Sequence, residues 1–251
     1  MAESRAPRQL VAQPINLDEF AGNDEIWKAI VEIAAALRRD EWALVGGQMV
    51  ALHGFVSGAT PPRATDDIDI VADVVVRRGV LSRCVGVLES LDYIPQPSIT
   101  GRTLHRFTGA RGHVDLVVPD HVPASLVSKL RGYQPVPIVG GRRALDRAVL
   151  VPVAFGGRRA DIVVPDLRGA IVLKARAGVA DNRDSQRHLS DIAFLCSIVA
   201  DPLAMRDELD AKERRSLRRV EMPTDAGTAP WVFLPARIRA DAAETWGVLR
   251  G

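Results

Sequence analysis

Arg63-Ala64-Thr65-Asp66-Asp67-Ile68-Asp69-Ile70-Val71 alternates acidic and branched apolar residues from Asp67 onward. Alternation with period two marks a strand with one face buried, so the stretch reads as a β-strand. Ile68 and Ile70 then point into a core, while Asp67 and Asp69 share the opposite face. Two carboxylates side by side repel, and burying them is costly unless a cation joins them. Hard oxygen donors select magnesium or manganese. The plainer alternative is a solvated strand end with exposed acids.

Upstream, Trp42-Ala43-Leu44-Val45 reads as a short buried strand that ends at Gly46-Gly47, and Gln48-Met49-Val50-Ala51-Leu52-His53 reads as a helix. Glycines at a strand-to-helix junction let a phosphate approach the backbone, where free N–H groups and the helix dipole favour an anion. A tight turn needs glycine for its own sake, so this pattern alone is weak. Downstream, Val114-Asp115-Leu116-Val117-Val118 sets one acid in an otherwise apolar strand. An unpaired buried carboxylate is expensive, so Asp115 needs a partner. A hairpin turn over 109–112 puts Thr108 opposite His113 and Arg106 opposite Asp115. Asp115 therefore either pairs with Arg106 or joins the cation site of Asp67 and Asp69.

Further along, Leu167, Ala170, Ile171 and Lys174 recur at helical spacing, which puts Lys174 on the inward stripe. An inward ammonium needs an anion, and phosphate is a good one; otherwise the side chain snorkels out along its stem. Of 33 basic residues only four are lysines, which makes this compact point charge conspicuous. In Arg187-His188-Leu189-Ser190-Asp191-Ile192-Ala193-Phe194-Leu195, Asp191 lies in a nearly apolar helix and needs a cation, Lys174 or Arg187.

With 251 residues, 47% apolar and 25% charged, the chain has the profile of a soluble globule. A net charge of +2 gives no global electrostatic case for nucleic acid. Two distant cysteines exclude a disulfide scaffold and a cysteine-based zinc site. No run reaches the ~18–20 apolar residues of a membrane span, and the first twenty residues lack the form of a signal peptide. A cytoplasmic protein without a membrane partner is expected.

The expected architecture is α+β: a flexible leader over 1–22, a mixed-sheet lobe over 23–164 and a helical lobe over 165–251. Asn23 is expected to cap the first helix. Further helices are expected over 78–91, 124–130, 166–177, 186–199, 202–219 and 235–249, with hairpins at 103–118 and 150–164. His105, His113 and His121 show no zinc geometry. Trp27, Trp42, Trp231 and Trp246 read as core. Lys212, Arg215, Arg218 and Arg219, alternating with Asp207, Glu208, Asp210 and Glu213, read as a solvated charged face.

Gly-Gly, D-x-D and a third strand acid, in that order, resemble the nucleotidyltransferase superfold of polymerase-beta type. Gly46-Gly47 with Ala51-Leu52-His53, then Arg63-x-Thr65-x-Asp67-Ile68-Asp69, then Asp115, Lys174 and Asp191, resemble the AbiEii/MenT group of nucleotidyltransferase toxins. The resemblance runs from about Val45 to Leu195. It implies nucleotide binding by Gly46, Gly47, Gln48, Arg63, Thr65 and Lys174. It implies metal binding by Asp67, Asp69 and Asp115, the last also able to activate the attacking hydroxyl, and catalytic roles for all three with Lys174 and Asp191. The implied activity is magnesium-dependent transfer of a nucleoside monophosphate from an NTP to RNA, commonly a tRNA 3′ end. The implied partner is a cognate antitoxin. Two departures stand out: Gln48 where the family usually has Ser or Thr, and His188 where a second acid often stands. Transfer to a small molecule such as an aminoglycoside, a non-catalytic nucleotidyltransferase-like binding protein and a metal-dependent nuclease are the competing readings.

Overall fold

The structure is a computed structural model that describes residues 7–20, 24–61, 63–181 and 185–251. The expected cap Asn23 lies outside the described residues. The chain divides into two compact units, one built from 1–49 and 64–166, the other from 50–63 and 167–251.

The first unit opens with two short strands, β1 (Arg8–Gln9) and β2 (Ile15–Asn16), and a 3-10 turn over Leu17–Phe20 that buries Leu17. Residues 7–20 are therefore structured where a leader is expected; two-residue strands are too short to show a period. Helix α1 (Asp24–Ala36) buries Ile26, Ile30 and Ile33 on one stripe. Strand β3 (Trp42–Val45) is buried throughout and runs directly into α2 (Gly46–Val56). There follow β4 (Asp67–Ala72), α3 (Val80–Ser90), β5 (Ile94–Pro97), β6 (Thr103–Gly109), β7 (Gly112–Pro119), β8 (Gln134–Pro135), β9 (Pro137–Ile138), α4 (Gly141–Asp146), β10 (Ala148–Phe155) and β11 (Arg158–Pro165). The helix expected over 124–130 reduces to a 3-10 turn over Ala124–Leu126, a stretch that is exposed and has no apolar face to bury.

Two sheets result. In one, β10 pairs antiparallel with β11 and parallel with β1 and β2. In the other the order is β3-β4-β7-β6-β5, with β8 beside β6 and β9 beside β7. Strand β5 is the end of that path, where its two prolines cost no ladder bond. Within the larger sheet β4 and β7 run parallel while β3/β4 and β6/β7 are antiparallel. Ile68, Ile70, Phe107, Val114 and Leu116 are all at most 1% exposed, so one face of β4, β6 and β7 is core. Each such side chain contributes roughly 1.5–3 kcal/mol by burial. A one-residue slip of β4 would put Asp67 and Asp69 into that core, so the alternation fixes the register.

The second unit is helical: α5 (Leu167–Ala180), α6 (Ser185–Ser197), α7 (Pro202–Glu208), α8 (Ala211–Arg218) and α9 (Arg239–Arg250). The helix expected over 202–219 is broken at Leu209-Asp210. Asp210 accepts bonds from the Lys212 and Glu213 N–H groups, and the Glu213 carboxylate accepts the Asp210 N–H, a capping box that starts α8. Glu213 is thereby buried and does not belong to the solvated face expected of it, whereas Lys212, Arg215, Arg218 and Arg219 are exposed. All four tryptophans are buried, as expected of core residues. Among the described residues, no single helix is long and apolar enough to cross a membrane.

Candidate active site

Gly46, Gly47, Gln48, Thr65, Asp67, Asp69 and Asp115 belong to the first unit; Arg63, Lys174 and Asp191 belong to the second.

In the first unit the register builds a row of side chains across the larger sheet. Val45 pairs with Asp69, Asp69 with Asp115, Asp115 with Arg106, and Arg106 with Gln96. A second row two residues away holds Asp67, His113 and Thr108. Directly paired residues share a face, so Asp67, Asp69 and Asp115 all stand on the side opposite the apolar core.

The glycine turn lies against this face. Gly46 has φ +67° in the left-handed region, which a residue without Cβ adopts at no steric cost. A Cβ on Gly46 would lie 1.7 Å from Oδ2 of Asp69, and one on Gly47 would lie 2.8 Å from the Thr65 methyl carbon. The first turn of α2, the segment before β4 and the Asp69 carboxylate thus meet at van der Waals distance. Gln48 is buried and donates its side-chain N–H to the Thr65 carbonyl at 2.7 Å. The amide that stands in place of a Ser or Thr hydroxyl ties the helix start to the residues leading into β4.

Asp115 pairs with Arg106, as the hairpin register leads one to expect. The guanidinium forks onto the carboxylate, Nε to Oδ1 and Nη2 to Oδ2, both at 2.8 Å. Nη2 also lies 3.8 Å from Oδ1 of Asp67. The Arg106 pKa is raised further by its hydrogen bonds to Asp115, against a smaller effect of burial. His113 Nδ1 shares a 3.0 Å hydrogen bond with the Thr108 hydroxyl beside this row. Asp67 and Asp69, acids at spacing two on one face, have the donor chemistry of a magnesium or manganese site. Asp115 stands beside this pair with one guanidinium bond already on each of its oxygens. Among the described residues, no group of three or more His, Cys, Asp or Glu side chains is arranged to hold a metal.

In the second unit Lys174 is buried on α5, as its stripe requires, and its Nζ lies 2.7 Å from Oδ2 of Asp191 on α6. Asp191 is 1% exposed and has a second cation: Arg63 donates Nε to Oδ1 at 3.2 Å and Nη2 to Oδ2 at 3.0 Å. Lys174 is one of the two partners expected for Asp191, and Arg63 joins it as a cation that the sequence reading did not name. Two cations share one carboxylate, so the cluster carries a net positive charge. Buried His188 has Nε2 3.4 Å from Oδ2 of Asp181. Its pKa is lowered, first by burial and then by the charges of Lys174 and Arg187.

No protein-family model matches the chain, and no curated protein matches it. Among solved structures it is similar to the antibiotic-resistance factor ANT(2'')-Ia at 14% identity, covering 70% of this chain and 84% of that one with a TM-score of 0.43. It is similar to an antigenic nucleotidyltransferase-like protein from Paracoccidioides brasiliensis at 13% identity, covering 78% and 87% with a TM-score of 0.45. It is also similar to terminal uridylyl transferase 4 from Trypanosoma brucei, with bound GTP, at 14% identity, covering 94% of this chain and 65% of that one with a TM-score of 0.30.

Proposed function

We propose that the chain is a divalent-metal-dependent nucleotidyltransferase that moves a nucleoside monophosphate from an NTP to an RNA acceptor, the 3′ end of tRNA. The observation that carries the reading is the approach of Gly46 to Asp69: the turn that opens a helix N-terminus is moulded around the carboxylate of a D-x-D strand. Backbone suited to an anion beside side chains suited to a cation is the combination a metal-bound triphosphate needs, and it supports the reading.

Asp67 and Asp69 would hold the magnesium or manganese ion, which when bound neutralises charge developing on the transferred phosphoryl group. The N–H groups at the start of α2 receive a phosphate. Gln48 keeps that start fixed to the Thr65 carbonyl. Lys174 and Arg63, both of the second unit, are the cations that the resemblance assigns to the nucleotide. Asp191 positions both, because it holds the ammonium and the guanidinium in one orientation. Lys174 has three donors, so one bond to Asp191 leaves others for an anion.

The RNA acceptor and a role as a toxin restrained by an antitoxin protein rest on the string Arg63-x-Thr65-x-Asp67-Ile68-Asp69 and its resemblance to that group. The test is incubation with each labelled NTP, magnesium and total tRNA, with an aminoglycoside panel in parallel. Label in the tRNA band supports the reading. Label in the aminoglycoside fraction replaces the acceptor. Label in no product rejects transfer. Growth arrest on expression, abolished by Asp69→Asn, tests the toxin role.

A further inference from the structure

Arg106 is the feature of the first unit that a site of three metal-binding carboxylates does not explain. It is set by the sheet itself. The two-residue turn between β6 and β7 pairs Gly109 with Gly112, and three residues back on one strand and three forward on the other Arg106 faces Asp115. The parallel neighbour β4 then sets Asp69 beside Asp115. A planar guanidinium fork matches a carboxylate in two parallel bonds, stronger and more directional than a single contact. Guanidinium also stays protonated at any working pH. Each oxygen of Asp115 thus accepts a guanidinium bond at 2.8 Å, and the same guanidinium reaches within 3.8 Å of Asp67. Arg106 thus offsets one of the carboxylate charges on this face.

We propose that Arg106 takes the place of a second cation: it holds Asp115 out of coordination, and the site binds one divalent ion, on Asp67 and Asp69. This rests on the reading of those two residues as a metal pair. Arg106 is then a positioning residue that sets ion number and affinity, and Asp115 is its anchor.

The test is a manganese titration of the purified full chain without nucleotide, with free ion read by electron paramagnetic resonance. Wild type should bind one Mn2+. Arg106→Gln frees Asp115 and removes a positive charge next to Asp67, so it should bind a second ion or hold the first at least about tenfold tighter, the effect of a one-unit change in log affinity. The double variant Arg106→Gln/Asp115→Asn has no stranded charge and tests the idea even where the single variant fails to fold. It should bind one ion, with an affinity within about threefold of wild type. Two ions on wild type, or a tenfold loss in the double variant, would make Asp115 a ligand and overturn the proposal. Unchanged binding in a folded Arg106→Gln would overturn it too. Binding by neither wild type nor Arg106→Gln would remove the Asp67–Asp69 metal pair itself, and the proposal with it.

Discussion

Gly46→Ala, set against Gly157→Ala, separates the cost of a left-handed backbone from the cost of disturbing the site. Both glycines have positive φ, +67° and +74°. Adding a Cβ there costs about 1 kcal/mol in either place. The surroundings differ. Nothing lies within 4 Å of a Cβ built on Gly157, in the turn between β10 and β11, whereas one on Gly46 falls 1.7 Å from Oδ2, 2.5 Å from Cγ and 2.8 Å from Cβ of Asp69. Real Cβ atoms keep at least 3.0 Å, so the Asp69 carboxylate must retreat by more than an ångström or the turn must open. Driving a side chain off its rotamer adds roughly 1 kcal/mol. Gly46→Ala should therefore lose about 2 kcal/mol of stability and Gly157→Ala about 1. A displacement of about 1 Å at a reacting centre costs on the order of 100-fold in rate. Gly46→Ala should lose nucleotidyl transfer and Mn2+ binding by about that factor, and Gly157→Ala should keep both. Urea unfolding, Mn2+ titration and labelled-NTP transfer read the three quantities. Equal Mn2+ affinity in the two variants would refute the idea that the glycine turn is fitted to Asp69.

Asp67→Asn and Asp69→Asn should each abolish transfer and Mn2+ binding while changing stability by less than about 0.5 kcal/mol, or raising it through relieved repulsion; retained transfer in both would remove the metal role. Asp191→Asn strands Lys174 and Arg63 and should cost about 3–5 kcal/mol in urea unfolding, whereas Lys174→Met leaves Asp191 on the Arg63 fork and should cost only about 1–2 kcal/mol; equal losses would deny Asp191 its role as the shared anchor. Burial, Lys174 and Arg187 lower the pKa of His188, so its neutral form is the folded one. Its contribution to stability is then complete above the ordinary histidine value of about 6.5 and is lost as pH falls towards the depressed folded value. His188→Gln should flatten the fall in melting temperature between pH 7.5 and 5.5; parallel curves for the two proteins would exclude the effect.

The strand β4 and the β6/β7 register were legible because each is written in local pattern. Alternating Asp67, Ile68, Asp69 and Ile70 can only be a strand with one wet face, and a turn over 109–112 leaves Arg106 no partner but the residue nine positions on. Lys174 was legible as an inward cation for the same reason, its place on a helical stripe. Its pairing with Asp191 was legible too; the second partner of Asp191 was not. Arg63 is 128 residues away in sequence, and no period links a loop before β4 to the middle of α6. Strands β1 and β2 were hidden because they are two residues long and exist by virtue of β10. The break at Asp210 carried a signal that the helical period masked: Asp followed three residues later by Glu is a capping box, and here it starts a new helix.

Gln48, where the sequence resemblance leads one to expect Ser or Thr, acquires a physical meaning once the fold is built. A serine or threonine hydroxyl beside the glycines is short and can bind phosphate directly. The longer amide of Gln48 is buried and spent on the Thr65 carbonyl. The same Thr65 packs its side chain where a Cβ on Gly47 would stand. The amide is thus a brace on the segment that leads into Asp67 and Asp69. The brace acts through position, since it fixes the first turn of α2 against the strand whose outer face is acidic and whose inner face is core. The alternation that buries Ile68 and Ile70 is what sets Asp69 against that turn, with Asp67 on the same face. Stability and function are read from opposite sides of one strand.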